Sequence, residues 1–263
     1  METGIREPCV AGQFYPADPG KLRRTISQMM LESKKKMKAK GALVPHAGYY
    51  YSGGVASHVY STVDFPDLIA IIGPNHTGYG KTVGVSSEDF KTPLGVVKSD
   101  QEIVGKIVEK GIPEDNLSHK FEHSIEVQLP FLQFVKKDFK IVAITMMDQR
   151  LETSSKLGEI LNGTLPENSM VIASSDMSHY VPREIALHKD KFVIDEIKKL
   201  DPEGLYHAVT TKNISMCGYG CAIAMLNFAI LRKSKKAKLL KYATSGDVEP
   251  MPKAVGYCAM VVY

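Results

Sequence analysis

The 263-residue sequence is defined first by what it lacks. No apolar run reaches the roughly 18 to 20 residues that a helix needs to cross a bilayer. The longest stretch, Cys221 to Leu231, is broken by Asn227, so no membrane span is expected. Arg6, Glu7 and Pro8 stand where a secretory signal would need an apolar core, which points to a cytoplasmic chain. The four cysteines, Cys9, Cys217, Cys221 and Cys258, are then expected to be reduced thiols, free for chemistry. There is no low-complexity linker, composition shift or internal repeat, so residues 1–263 are expected to form a single domain. With 44% hydrophobic and 24% charged residues, disorder, collagen and coiled coil are excluded for the whole chain.

The net charge of +4 comes from two local runs, Lys34, Lys35, Lys36, Lys38 and Lys40, then Lys233, Lys235, Lys236 and Lys238. Each closes a stretch of helical periodicity, where cations complement the helix dipole. No aromatic residues are interleaved to stack bases, so a nucleic-acid surface is not expected.

Short apolar runs alternate with helical periodicity. Strands are expected at Ala42 to Val44, Leu68 to Ile72, Thr82 to Ser86, Phe139 to Thr145, Met170 to Ala173 and Ala254 to Val262, several of them Ile/Val runs without alternation, as in strands buried on both faces. Helices are expected at Pro19 to Lys38, Gly54 to Val63, Gln101 to Lys110, Ser124 to Val135, Glu152 to Leu161, Pro182 to Leu200 and Ala222 to Lys233. The fold class is α/β, three layers with a mostly parallel central sheet.

In such sheets the ligand site lies beyond the carboxyl ends of the strands. Three strand exits there carry histidine: Pro45-His46-Ala47-Gly48, Gly73-Pro74-Asn75-His76-Thr77-Gly78 and Ser174-Ser175-Asp176-Met177-Ser178-His179-Tyr180. Two imidazoles and a third group would leave a metal ion with open positions. Cys217, in Met216-Cys217-Gly218-Tyr219-Gly220, is the candidate third group, because a following helix N-terminus favours the thiolate; a buried thiol and a nucleophile are the other readings of that residue. A redox pair of Cys217 with Cys221 lacks the two-residue spacing of thioredoxin-like motifs. His119 and His123 are spaced as on a zincin helix, but Lys120 stands where the glutamate base belongs. His119 is therefore expected to be exposed and outside the site, with His123 facing the pocket. Glu122 and Glu126 are expected to open the helix at Ser124 for reasons of its dipole; support behind the metal ligands or contact with substrate is the other reading of this cluster, with His123 its best candidate.

These segments together resemble the Memo family. The resemblance runs nearly end to end: Val10 to Pro16, VPHAGYYYSGGVA from Val44, IGPNHTG from Ile72, TPLG from Thr92, EHSIEVQLPFLQ from Glu122, SSDMSHY from Ser174, MCGYG from Met216 and YATSGDV from Tyr242. It implies a fold similar to class III extradiol dioxygenases, non-haem iron enzymes that cleave catechol-type rings. It also implies metal ligands at His46, His76 and Cys217, and an acid-base position at His179 with Asp176 beside it; His123, Tyr49 and Asn75 are expected either to support the ligands from behind or to line the substrate pocket. Cys217 replaces the dioxygenase carboxylate, a softer set that admits copper(I) or zinc as well as Fe(II).

The expected function is a metal-dependent oxidoreductase, with Fe(II) the favoured ion, acting on a small-molecule or peptide ligand in the strand-end crevice. The alternative is a metal- or peptide-binding protein without turnover. A third reading is a hydrolase or transferase using Cys217 as nucleophile and His179 as base. The resemblance further implies a radical-SAM protein as a pathway partner.

Overall fold

The computed structural model describes residues 4–32 and 36–263. Its strands are β1 (Ile5–Arg6), β2 (Gly41–Val44), β3 (Leu68–Pro74), β4 (Val83–Ser86), β5 (Asp89–Thr92), β6 (Gly95–Ser99), β7 (Lys140–Met146), β8 (Ser169–Ser174), β9 (Ala237–Thr244) and β10 (Gly256–Val262). The α-helices are α1 (Pro19–Met29), α2 (Gly54–Thr62), α3 (Gln101–Glu109), α4 (Leu129–Val135), α5 (Leu151–Thr164), α6 (Arg183–Lys199), α7 (Pro202–Thr211) and α8 (Tyr219–Leu231). The strands join in the order β1-β5-β6-β7-β3-β8-β2-β10-β9, with β4 antiparallel on the upper half of β7. From β6 to β2 every pairing is parallel, and β10 and β9 close one side antiparallel.

The period-two rule of a pleated strand accounts for the layers. In β3, Leu68, Ala70 and Ile72 pack with α3, α5, α6, α7 and α8 on one face, while Ile69 and Ile71 pack with α1, α2 and α4 on the other. Both faces are buried, so the sheet is the middle of a three-layer α/β/α fold, of the class III extradiol dioxygenase type. Because β7, β3, β8 and β2 run parallel, their carboxyl ends lie at one edge.

Several elements differ from their sequence expectation. The first helix stops at Met29, and Met30 is extended. Met37 instead bridges Val63, and Lys36 donates to Tyr60 O and Ser61 O, closing the end of α2 rather than of its own helix. Residues 33–35 lie outside the described residues. The helix expected from Ser124 begins at Leu129, preceded by a 3₁₀ turn over Glu126–Gln128. TPLG is the turn of the β5–β6 hairpin, with Gly95 at φ 126°. The β9 strand and α7 had no expectation at all. No helix among the described residues is long and apolar enough to cross a membrane.

Candidate metal centre

His46 follows β2, His76 follows β3, and Asp176 and His179 follow β8, all at the shared carboxyl edge. Cys217 arrives from the loop before α8. Its backbone is pressed onto the end of β8, where a Cβ on Gly218 would lie 2.6 Å from Ser174 O. The glycine therefore permits the approach that brings the thiol to the histidines. Cys217 Sγ lies 3.2 Å from His46 Nε2, and one ligand atom from each of His46, His76 and Cys217 falls within 4.8 Å of the others. Asp176 accepts the His46 backbone N–H at 2.8 Å, and the Asp176 N–H points at the sulfur, 3.3 Å away.

The two histidines are gripped differently. His46 is 2% exposed and its Nδ1 meets the Ser174 hydroxyl at 3.0 Å. His76 is exposed, with Nδ1 donating to Glu122 Oε1 at 2.9 Å and its backbone N–H donating to Glu122 Oε2 at 2.6 Å. Burial, with His123 and His76 adding, holds His46 far below the usual imidazole value. Burial also opposes protonation of His76, but the Glu122 hydrogen bond and charge outweigh it and raise its pKa. For Glu122, burial pushes upward and the His76 partner outweighs it, holding the carboxyl at about 2.

Glu122 is thus a site residue that the sequence reading placed at a helix start. The dipole explanation fails because α4 begins seven residues later, and Glu122 also accepts the Ser124 N–H at 2.8 Å. Glu126 likewise has specific partners: it forms a buried ion pair with Arg6 and accepts Tyr15 OH at 2.5 Å and Cys9 N–H at 2.8 Å. Arg6 also donates to His119 O and Glu122 O. His123 faces the site, stacked on His76 at 4.8 Å between ring centroids and edge-on to His46 at 5.4 Å. His76, Glu122 and His123 form a second close group of donor atoms.

Three expectations are corrected. His119 is 1% exposed, with Nε2 donating to Gly84 O at 3.2 Å; in the turn it occupies, the neighbouring Lys120 and Phe121 take the solvent side. It belongs to neither donor group. Tyr49 is core: its hydroxyl donates to Val127 O at 2.7 Å and its ring packs on Tyr15 and Phe131. A π-helical turn over Tyr49–Gly53 points Tyr51, two residues on, to the site instead. Asn75 takes the supporting alternative, off the cavity lining, bracing the His76 loop by accepting from Thr77 N and Gly78 N and donating to Tyr79 O. The thiol expectation also reverses. Cys217 precedes α8 as expected, but burial, with Asp176 nearby, pushes its pKa well up.

Above the histidines is a cavity of about 510 Å³ walled by Phe14, Tyr51, Tyr180, Tyr257, Met251 and Val255, with His179 and Asp176 on its lining. His179 donates from Nδ1 to Ser215 O at 2.7 Å, which leaves Nε2 available. Burial, opposed by the His46 amide and by His179, raises Asp176 to about 6. Tyr180 at the rim is 71% exposed and holds a left-handed backbone at φ 54°, a conformation that aromatic side chains seldom adopt without a local reason. Phe14, Tyr51 and Tyr180 come from three separate motifs and Tyr257 from none, so this aromatic ring carries no sequence signal of its own.

The family profile described as Memo-like protein matches residues 6–261. The chain belongs to the Memo family. Among curated Memo-family relatives, a MEMO1 family protein of Methanosarcina mazei is 45% identical, covering 98% of this chain and 99% of that one. One from Methanosarcina acetivorans is 43% identical over 98% and 99%, and one from Saccharolobus islandicus is 44% identical over 97% and 98%. Among solved structures, uncharacterized protein JW3007 from Escherichia coli K12 aligns with a TM-score of 0.54 at 13% identity, covering 85% of this Memo-family chain and 100% of that chain. That likeness concerns the fold.

Proposed function

We propose that the chain holds one metal ion between His46, His76 and Cys217 and acts as a non-haem metal-dependent oxidoreductase on a small molecule entering the aromatic-walled cavity. The observation that carries the reading is the 3.2 Å approach of an imidazole nitrogen and a thiol sulfur, with a His76 ligand atom in the same cluster, at a cavity floor. Bonds of about 2.0–2.3 Å to one ion put donor atoms roughly 3.3–3.7 Å apart, so a donor set spanning up to 4.8 Å needs only a small contraction. Two imidazoles and one sulfur fit Fe(II), which we favour, and equally satisfy copper(I) or zinc.

When bound, the ion supplies Lewis acidity and, for iron or copper, redox chemistry. The chain supplies the rest. His179, anchored through Nδ1, takes or gives a proton at Nε2. Asp176 fixes the His46 backbone, and the aromatic walls exclude water. Among the described residues no lysine or arginine lines the cavity, so a phosphorylated substrate would find no side-chain counter-charge from them there.

Cys217 in place of a carboxylate favours a second reading, metal binding without turnover. A Cys217 nucleophile is disfavoured, because burial works against the thiolate. The test is metal analysis of untagged protein purified anaerobically without added metal, followed by oxygen uptake with a panel of small phenols. Stoichiometric iron with oxygen uptake is the expected result. Bound metal with no uptake selects the second reading, and folded protein that takes up no iron, copper or zinc overturns both.

A further inference from the structure

Behind His46 lies a chain of hydrogen bonds whose direction is fixed by chemistry alone. Ser174 Oγ has three neighbours: Ser124 O at 2.6 Å, Gln128 Nε2 at 2.8 Å and His46 Nδ1 at 3.0 Å. A hydroxyl has one hydrogen to give and two lone pairs to receive with. Ser124 O is a carbonyl and can only accept, so it takes the hydroxyl hydrogen. Gln128 must donate, because its Nε2 also faces Pro45 O at 3.0 Å while its Oε1 receives the Tyr60 hydroxyl at 2.6 Å. Turning the amide over would set its oxygen against the Pro45 carbonyl. One lone pair of Ser174 remains, and His46 Nδ1 can meet it only as an N–H donor.

We propose that Ser174, oriented by Gln128, is a positioning residue that fixes His46 in the tautomer with its proton on Nδ1 and its lone pair on Nε2. That lone pair is the one 3.2 Å from Cys217 Sγ. The tautomer assignment stands on the hydrogen bonds; its consequence for metal affinity rests on the metal-centre reading above. Ser174, Gln128 and Tyr60 are all buried, so water does not compete for these bonds. Ser124 ties this chain to the other histidine, since its N–H donates to Glu122 Oε1 and its hydroxyl to Pro74 O, beside the His76 loop. Both histidines are therefore aimed through one serine backbone.

The experiment is ¹⁵N NMR of histidine-labelled, metal-free protein, joined to zinc titration by competition with a chelator. In the natural chain His46 is expected to show a protonated Nδ1 and an unprotonated Nε2. Ser174→Ala removes the acceptor, and is expected to shift the Nδ1 resonance and to weaken zinc binding about 10- to 100-fold. Ser174→Thr keeps the hydroxyl and is expected to restore most of both. A proton on His46 Nε2 in the natural chain overturns the proposal, and this measurement suffices if Ser174→Ala does not fold. Unchanged resonances together with zinc affinity within twofold in Ser174→Ala also overturn it. If the natural chain shows the stated tautomer yet binds no metal, the metal-centre reading falls and the tautomer assignment stands.

Discussion

His46 and His76 face the same point from neighbouring loops, yet one is backed by an uncharged hydroxyl and the other by a carboxylate. The contrast follows from burial. His46 is sealed beneath the cavity, where an unpaired negative charge would be costly, and a neutral relay ending on a carbonyl orients it at no such cost. His76 is exposed, and Glu122 behind it, though buried, can be ionised because a ring N–H and two backbone N–H groups converge on it. A carboxylate partner makes an imidazole a stronger donor. The pair thus offers one ligand set mainly for geometry and one that also contributes charge.

The largest expected effect removes the ligand that both histidines share. Cys217→Ser should weaken iron or copper binding by on the order of 100-fold or more, because a serine hydroxyl stays protonated and is a poor ligand for these ions; competition titration reads it. Full occupancy in that variant would leave the two histidines without a common partner. Next, Glu122→Gln keeps an acceptor for His76 but deletes the charge, and metal affinity should fall about 10- to 100-fold. If the loss is no greater than that caused by an uncharged change behind His46, charge is not what separates the two cradles.

A histidine outside the pair sharpens the comparison. Burial lowers His119 to about 4, against an ordinary value near 6.5 in the unfolded chain. Between those values the unfolded state binds the extra proton. Stability is therefore fully present above about pH 6.5 and is lost as pH falls toward 4, by about 2 kcal/mol between pH 7 and 5. Urea unfolding of His119→Gln at the two pH values should show that much less dependence, with metal content unchanged. A variant whose pH dependence matches the natural chain would mean that His119 does not carry it. The smallest effect is expected from Cys221→Ser. Cys221 is buried within α8, and metal affinity should stay within twofold; a larger drop would move the third ligand one helical turn along.

The histidine loops were legible because each follows a strand whose apolar run is unambiguous, and parallel strands deliver such loops to one edge. Glu122 was not, since an acid near a helix start has an ordinary explanation, and only the turn that delays α4 to Leu129 withdraws it. Ser174 and Gln128 are uncharged and act through geometry that no spacing reveals. The β9 strand hides behind Lys238 and Lys241, whose side chains suit a sheet edge and dilute the apolar signal. His119 was misplaced because neighbours in a turn need not share a side, so the exposure of Lys120 said nothing about the residue before it. Gly73 lies within β3, and what requires a glycine there is a contact, since Ser124 occupies the space that a side chain would need.

Arg6 and Glu126 are 120 positions apart in the chain, and their pairing gives the molecule an order of assembly. The amino-terminal segment leaves the ribosome first, yet it has no place to dock until residues 119–126 have followed. Even then His46 waits for Ser174, 128 positions on, and for Cys217, 171 positions on. Contacts this distant close late and slowly. A nascent chain that stops short of Cys217 has strands, histidines and a partly built sheet, but no third ligand. On the proposed metal reading, such a chain would lack the complete donor set until residue 217 is in place.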